Sequence, residues 1–478
     1  METTEPIGLA ALERRLARDL EYLNFPPANW VKPTPGSDGQ PMADVCIVGA
    51  GMCGLVAAFA LKREGITNIR QIEASPAGQE GPWVTYARMR TLRSPKHLTG
   101  PAMGMASLTF RAWFEAQWGA EAWEASGRIP RGQWMDYLVW YRKALGLDIE
   151  NGVTLTALTP DDGFWWLETE GAGRFPARKV ILANGRDALG GNRVPKVAAG
   201  LPPELVSHTR DDIDFAALKG KRVAVIGGGA SACDNAAEAL EAGAGEVHHF
   251  IRRADWPRIN KFKGIVYSGF VHGFPRLTVA ERWHILNYAF GFGVAAPRES
   301  VQRLAGHDGY HAHLGASWES ATATDGFVRI ETAKGDFTVD HVILATGFEI
   351  DVTRPRELAN IAGEIRTFHD ANIGADWVDA IGDFPNHPEL GGAFEFHEKH
   401  PGKMPQLAHL HCFNQAALLS HGMVAGDIPS VTQGAERLAR GIAGQFFLAD
   451  LPTHVAALEA FDEPELLGDE IEALTRET

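Results

Sequence analysis

The sequence predicts an α/β fold built from two parallel-sheet units, the first interrupted by the second. Three observations carry this expectation. A short β-branched strand, Asp44 to Val48, runs into Gly49-x-Gly51-x-x-Gly54 and an Ala-rich helix from Leu55 to Glu64. The same pattern returns at Arg222 to Ile226, followed by Gly227-x-Gly229-x-x-Ala232 and an Ala-rich helix from Asp234 to Ala242. Two further apolar strands each end in a small-residue turn, Ala183-Asn184-Gly185 and Ala345-Thr346-Gly347. A strand, a glycine turn and a helix in this order form a Rossmann-type dinucleotide-binding unit, so the chain holds two such domains.

Each turn residue has a physical task. Gly49 makes the tight turn, Gly51 lets backbone approach a pyrophosphate, and Gly54 lets helix pack closely on strand. The helix N-terminus adds unpaired N–H groups and the positive end of its dipole. The next strand, Ile69 to Ile72, ends in Glu73, nineteen residues beyond Gly54, where an acid binds ribose hydroxyls. Gly227, Gly229 and Ala232 repeat the arrangement, but the strand after them, Val247 to Ile251, ends in Arg252 and Arg253. Arginine there pairs with a 2′-phosphate that an acid would repel. A solvated basic loop is the plainer alternative. The two strand ends point to two nucleotides, FAD in the first domain and NADPH in the second.

Composition narrows the class. The 478 residues exceed what one hydrophobic core fills, and 45% of them are hydrophobic, with no run of membrane-spanning length. A net charge of −15 argues against nucleic acid or an anionic membrane as main partner. The N-terminal residues lack the basic and apolar regions of a signal peptide, which makes the cytoplasm the default. Cys46, Cys53, Cys233 and Cys412 form no C-x-x-C pair, which argues against a disulfide oxidoreductase and for reduced thiols.

The remaining elements follow in order. Residues 1–43 are an arm: a helical stripe at Leu9, Leu12, Leu16, Leu20 and Leu23, then a proline-rich linker. The arm can pack on its own domain or on a second subunit of a homo-oligomer. Gly81 to Tyr86 and the basic run Arg88 to His97 form either a wall over a flavin ring or a solvated loop. Trp113 to Trp123 and Trp134 to Leu147 read as helices, with Trp134, Tyr137 and Tyr141 on a core face. Strands follow at Gly152 to Ala157, Trp165 to Glu168 and Arg174 to Ala183. Residues 255–320 read as a largely helical insertion, shaping substrate access or acting as a plain cap. Phe327 to Thr332 and Asp336 to Val342 close the second domain. His397-Glu398-Lys399-His400 departs from metal-binding spacing and reads as a loop. His421-Gly422 and Gly426-Asp427 precede a long helix, Val431 to Leu448, and an acidic tail begins at Glu463.

This order of motifs, with Trp83 between the first acid and the Asn184 turn, resembles the class B flavoprotein monooxygenases over roughly residues 40 to 450. These include flavin-containing, Baeyer–Villiger and N-hydroxylating monooxygenases. The chain departs from the family pattern at its hallmark: His208 stands at the expected distance, but Pro202, Glu204 and Asp212 hold the neighbouring positions. Ser94 stands where an Asn is usual, and the first Ala-Thr-Gly is Ala183-Asn184-Gly185, which marks an outlying branch. The resemblance implies a first FAD segment at 44–195, an NADPH domain at 196–342 and a return to the FAD domain at 343–478.

It also implies the site. FAD would contact Gly49, Gly51, Gly54, Glu73, Trp83, Val153, Ala183, Gly185 and His421. NADPH would contact Gly227, Gly229, Ala232, Arg252 and Arg253, with Gly347 at the second closing turn. Arg93, Ser94 and Asn414 are the candidate catalytic groups, and His208 is a nicotinamide-domain or linker contact rather than a general base. The implied reaction inserts one atom of O₂ into a small organic substrate through a C4a-(hydro)peroxyflavin. A pyridine-nucleotide-dependent flavin reductase or oxidase, and a redox-sensing protein that keeps FAD structurally, are the other readings.

Overall fold

The computed structural model describes residues 6–36, 39–371, 383–470 and 474. Helix α1 (Leu9–Tyr22) buries Leu12 and Leu16, one turn apart, against its own chain. Gly8 N–H donates to the Ala116 carbonyl at 2.7 Å, and the Ser107 hydroxyl donates to Asp19. The arm helix therefore packs on its own domain.

Strand β1 (Ala43–Val48), helix α2 (Met52–Arg63) and strand β2 (Ile69–Glu73) form the first strand–turn–helix–strand unit. Helix α3 (Phe110–Ala125), broken at Gly119 (φ 84°), and helix α4 (Arg131–Ala144) cover it. Their aromatics interlock: Trp134 lies 5.7 Å from Phe110 and 5.1 Å from Tyr137, ring centre to ring centre. The two buried phenols are satisfied by backbone, Tyr137 donating to Leu108 O at 2.7 Å and Tyr141 to Pro101 O at 2.9 Å.

Strands β3 (Glu150–Asn151), β4 (Thr154–Asp161), β5 (Phe164–Glu170) and β6 (Gly173–Leu182) follow. The first sheet runs β3-β2-β1-β6-β5-β4, parallel from β3 to β6 and antiparallel beyond. The chain then crosses to the second sheet through β7 (Gly190–Asn192) and β8 (Val206–His208). The second unit is β9 (Arg222–Ile226), α5 (Ala230–Glu241) and β10 (Glu246–Ile251).

The insertion differs from expectation in its second half. Helices α6 (Ser268–Gly273), α7 (Val279–Gly291) and α8 (Arg298–Leu304) end at Leu304, and strands β11 (Tyr310–Leu314) and β12 (Trp318–Thr324) occupy the remainder. Strand β11 pairs in parallel with the edge of β10, from Val247↔Tyr310 to Ile251↔Leu314, covering backbone that would otherwise stay unpaired. Strands β13 (Phe327–Thr332), β14 (Gly335–Val339) and β15 (His341–Leu344) come next. The strand expected at Asp336 to Val342 is split at Asp340, whose carboxylate accepts the Arg222 N–H at 2.7 Å. The part before it pairs antiparallel with β13, and the part after it joins the second sheet, β11-β10-β9-β15-β8.

The return passes through β16 (Phe348–Ile350), which pairs antiparallel with β7. The two crossings between the sheets are thus zipped to each other. Strand β17 (Leu410–Cys412) joins β6 as the seventh strand of the first sheet, and α9 (Leu418–His421), α10 (Val431–Ala449) and α11 (Leu451–Glu459) complete the chain. Helix α10 lies on α2, and Gly434 is needed there because a Cβ would stand 2.3 Å from the Val424 carbonyl oxygen. Among the described residues no helix is long and apolar enough to cross a membrane.

Trp134 is almost fully buried at the centre of the aromatic cluster. Trp134→Ala is expected to lower folding stability by about 3–5 kcal/mol, read as a shift in urea midpoint at unchanged slope.

Candidate active site

The two glycine turns share one geometry. In the first, Gly49 N–H donates to Ile72 O at 2.8 Å, and Ala183 N–H donates to Val48 O at 2.9 Å. These bonds press Gly49 (φ 108°) against the next strand end, where a Cβ would stand 2.5 Å from the Ala183 carbonyl oxygen. In the second turn, Gly227 N–H donates to Phe250 O at 3.1 Å and Ala345 N–H to Ile226 O at 3.0 Å. A Cβ on Gly227 (φ 142°) would stand 2.3 Å from the Ala345 carbonyl oxygen. A side chain from the adjacent strand holds each first glycine: Gln71 Nε2 donates to Gly49 O at 3.0 Å, and His249 Nε2 to Gly227 O at 2.7 Å.

The second glycines are different. A Cβ on Gly51 would meet nothing closer than Gly81 Cα at 3.8 Å, and one on Gly229 would meet nothing within 4 Å. The protein itself has no need of glycine there. An open backbone cradle at the N-terminus of α2, and another at that of α5, fits a dinucleotide pyrophosphate in each turn. Gly54 is demanded from within, since its Cβ would lie 2.0 Å from the Gly49 carbonyl oxygen, and Ala232 is fully buried at the matching place in α5.

The strand ends differ between the two units. Glu73 is buried, and its carboxylate accepts the N–H groups of Ala50 at 2.7 Å and Ser75 at 2.8 Å. Val153 N–H donates to the Glu73 carbonyl at 2.9 Å, which sets Val153 beside it. Register aligns Val48 with Ile72 and Ile226 with Phe250, so Ile251 occupies the place of Glu73 in the second unit. Its Cγ2 lies 3.2 Å from where a Gly228 Cβ would be, so this place offers no acceptor to ribose hydroxyls and no charge to repel a phosphate. Arg252, next in the chain, is exposed. Arg253 is tied down, donating to Gly291 O at 2.8 Å.

The basic loop closes over both turns. Gly81 faces Gly51, and Trp83 packs edge-on to Trp134 at 6.1 Å with its buried indole N–H unpartnered. Further along, Arg93 reaches the second unit, 3.3 Å from the buried carboxylate of Asp234 in α5. Ser94 beside it is half-buried. Arg303 of α8, which sequence reading missed, locks this contact: it pairs with Glu238 at 3.0 Å and Glu241 at 2.8 Å and donates to Arg88 O at 3.1 Å. Only the folded chain brings those three segments together.

The return segment supplies ties around the cleft. Asn414 bridges strand ends, donating to Leu182 O at 3.2 Å and Asn184 Oδ1 at 3.1 Å while its own oxygen accepts Ala416 N–H at 3.0 Å. His421 stacks on Phe394 at 3.8 Å, with Nε2 on Gly391 O at 2.9 Å and Nδ1 facing Arg437 at 3.2 Å. Burial and then the Arg437 charge lower its pKa to about 3. Gly347 O accepts from Arg193 N at 2.9 Å and His208 Nε2 at 3.0 Å, which makes His208 part of the linker between sheets. Gly185 (φ 106°) leads directly into Arg186, paired with Asp427 at 3.0 Å. This pair was also missed, although the Gly-Arg and Gly-Asp dipeptides sit beside turns that sequence reading had marked. Among the described residues no group of His, Cys, Asp and Glu is arranged to hold a metal ion.

The pyridine nucleotide-disulphide oxidoreductase family model matches residues 46–267. A FAD-dependent urate hydroxylase of Xanthomonas campestris is 40% identical over 465 residues, 97% of this chain and 98% of that protein. Two solved structures share the fold: the ornithine hydroxylase of Pseudomonas aeruginosa (16% identity, TM-score 0.65, 85% of this chain and 100% of that one), and the L-lysine 6-monooxygenase of Pseudomonas syringae (19%, 0.64, 84% and 99%).

Two predictions follow from the turns. Gly51→Ala should leave the fold intact and lower bound flavin per protein, whereas Gly54→Ala should lower thermal stability as well, because the Gly49 carbonyl cannot withdraw. Spectroscopic FAD content and a melting curve for each variant separate the two. Burial lowers the His249 pKa from 6.5 to about 4, so the neutral ring is the folded form. Its contribution to stability is present in full above pH 6.5 and fades as pH falls toward 4. His249→Gln should therefore flatten the melting temperature against pH in that window.

Proposed function

The chain belongs to the class B flavoprotein monooxygenases, and on that premise we propose that it hydroxylates urate with NADPH and O₂, using FAD held in the first unit. The single observation that carries the substrate is the end-to-end likeness to the urate hydroxylase, which leaves no domain unmatched. Residues 44–195 and 343–478 are taken as the FAD domain and 196–342 as the NADPH domain. Gly51 and the α2 N-terminus hold the FAD pyrophosphate, Glu73 its ribose, and Trp83 closes the loop above. Gly229 and the α5 N-terminus hold the NADPH pyrophosphate, with Arg252 free to meet the 2′-phosphate. When bound, FAD supplies the redox chemistry, taking a hydride from NADPH and activating O₂ so that one oxygen enters substrate and the other leaves as water. The protein orders the reactants: Arg93, clamped by Asp234, ties the flavin-side loop to the nicotinamide-side helix. Asn414 and Asn184 brace the strand ends beneath. The four free cysteines suit a reducing compartment.

Purified FAD-loaded protein is expected to consume NADPH faster with urate present and to form hydroxylated product in step with NADPH lost. Hydrogen peroxide equal to the NADPH consumed, with urate unchanged, would refute the urate assignment and favour an oxidase. Arg252→Ala should raise the KM for NADPH about tenfold or more, since a charge-assisted bond of about 1.5–3 kcal/mol is lost. The KM for NADH should hold. Equal changes for both coenzymes would remove Arg252 from the 2′-phosphate.

A further inference from the structure

The insertion between β10 and β11 is threaded through the second unit, yet it packs on the first at two places. Its front half sits on the return segment. Phe262, Phe274 and Leu286 share one buried cluster with Phe368, Phe384 and Leu419, and Phe290 lies 5.6 Å from Phe384, ring centre to ring centre. Polar ties fix this seat from both sides. Arg282 of α7 donates to Ser420 O at 2.9 Å, and Arg437 of α10 donates to Val271 O of α6 at 2.9 Å.

The last helix of the insertion reaches the basic loop instead. Glu299 of α8 accepts the Thr91 hydroxyl at 2.8 Å, and Arg303 donates to Arg88 O at 3.1 Å. The same Arg303 side chain, 6% exposed, pairs with Glu238 at 3.0 Å and Glu241 at 2.8 Å on α5, the helix of the second glycine turn. From the loop, Arg90 meets Glu241 at 3.0 Å and Arg93 meets Asp234 at 3.3 Å. The loop, α5 and α8 close around a space of about 10 Å³, which one water would fill.

One guanidinium is thus shared by three elements. The loop starts at Gly81, which faces Gly51 of the first turn, and α5 starts at the second turn. Arg303 therefore links the two turns through chain and direct contact. Parting the three elements would leave a buried charge unpaired, so the junction resists opening. We propose that the insertion is a clasp between the two nucleotide units and that Arg303 is its positioning residue, holding the nicotinamide turn where hydride transfer to the flavin requires it. The inference rests on the reading of the first turn as the FAD site and the second as the NADPH site, and it gives the insertion its task. Hydride transfer needs the reacting atoms about 3–3.5 Å apart, and misplacement by about 1 Å can cost about a hundredfold in rate.

The test compares FAD-loaded wild type with Arg303→Met, Arg303→Lys and Arg90→Met, the last at a residue 60% exposed, whose loss leaves the core alone. Two readouts are used: the rate of flavin bleaching on anaerobic mixing with a series of NADPH concentrations, and amide exchange of residues 88–93 without NADPH. Arg303→Met should lower the limiting reduction rate about tenfold or more while FAD content and the half-saturating NADPH concentration hold, and loop exchange should rise. Arg303→Lys should recover part of the rate, and Arg90→Met should lower it about two- to fivefold, the share of an exposed ion pair. Loss of FAD in Arg303→Met, with the remaining holoenzyme reduced at the wild-type rate, would make the residue purely structural and overturn the clasp. A raised half-saturation alone would assign it to coenzyme binding and overturn the clasp too. Should Arg303→Met not fold, the other two variants decide, and reduction at the wild-type rate in both refutes the clasp. If NADPH does not reduce the wild-type flavin, the coenzyme reading fails. The clasp is then judged on loop exchange, standing if exchange rises in the Arg303 variants and falling if it does not.

Discussion

Everything in this chain hangs on one close contact made twice. At the end of β1 and again at the end of β9, a glycine is forced against the carbonyl oxygen that ends the neighbouring parallel strand, Ala183 in one sheet and Ala345 in the other. A side chain there would break the ladder on both sides of the turn, because the same residues carry the bonds Ala183 N–H to Val48 O and Ala345 N–H to Ile226 O. The contact leaves the next glycine of each turn facing open space at a helix N-terminus. A backbone constraint internal to the protein thus leaves, as its by-product, an open cradle of the kind that a phosphate fits. The side chains that hold the turn carbonyls, Gln71 and His249, differ in chemistry and agree in position.

The second constraint is the pairing of the two sheets. Strand β6 gives its first half to β5 and its second half to β17, so the C-terminal return is woven into the sheet begun at residue 43. Strands β7 and β16 bind the outgoing and returning connections to each other, with Gly190 required because a Cβ would lie 1.9 Å from Glu349 O. Hinge motion between units joined this way is restrained by a ribbon and by the Arg303 cluster. Separated stretches of chain are also tied by ion pairs, Arg93 with Asp234 of α5 and Arg186 with Asp427.

Much of this was legible beforehand, for a local reason. A glycine turn, its flanking strand and its helix lie within about thirty residues, so the two units, their order and the missing acid at the end of the second unit can be read along the chain. The same is true of the aromatic stripe at Trp134, Tyr137 and Tyr141. The insertion was legible only to Leu304. Beyond it, β11 is a strand because β10 offers an open edge, and no local pattern announces that. Asp340 splits one apolar run into two strands because Arg222, over a hundred residues earlier, supplies a donor.

The sequence by itself determined the fold class, the two glycine turns and the flavin-dependent class of chemistry, since each is encoded in contiguous residues whose backbone freedom or charge is decisive. Only the tertiary structure decided what the isolated side chains do. His421, a candidate flavin contact, hydrogen-bonds to Gly391 and Arg437, and Asn414, a candidate catalytic group, to Leu182 and Asn184. Arg186 and Arg303, unmarked in the sequence, are paired with Asp427 and with Glu238 and Glu241. Hydrogen-bond donors are assigned by whichever acceptor the fold brings within about 3 Å, and that is a property of distant segments meeting.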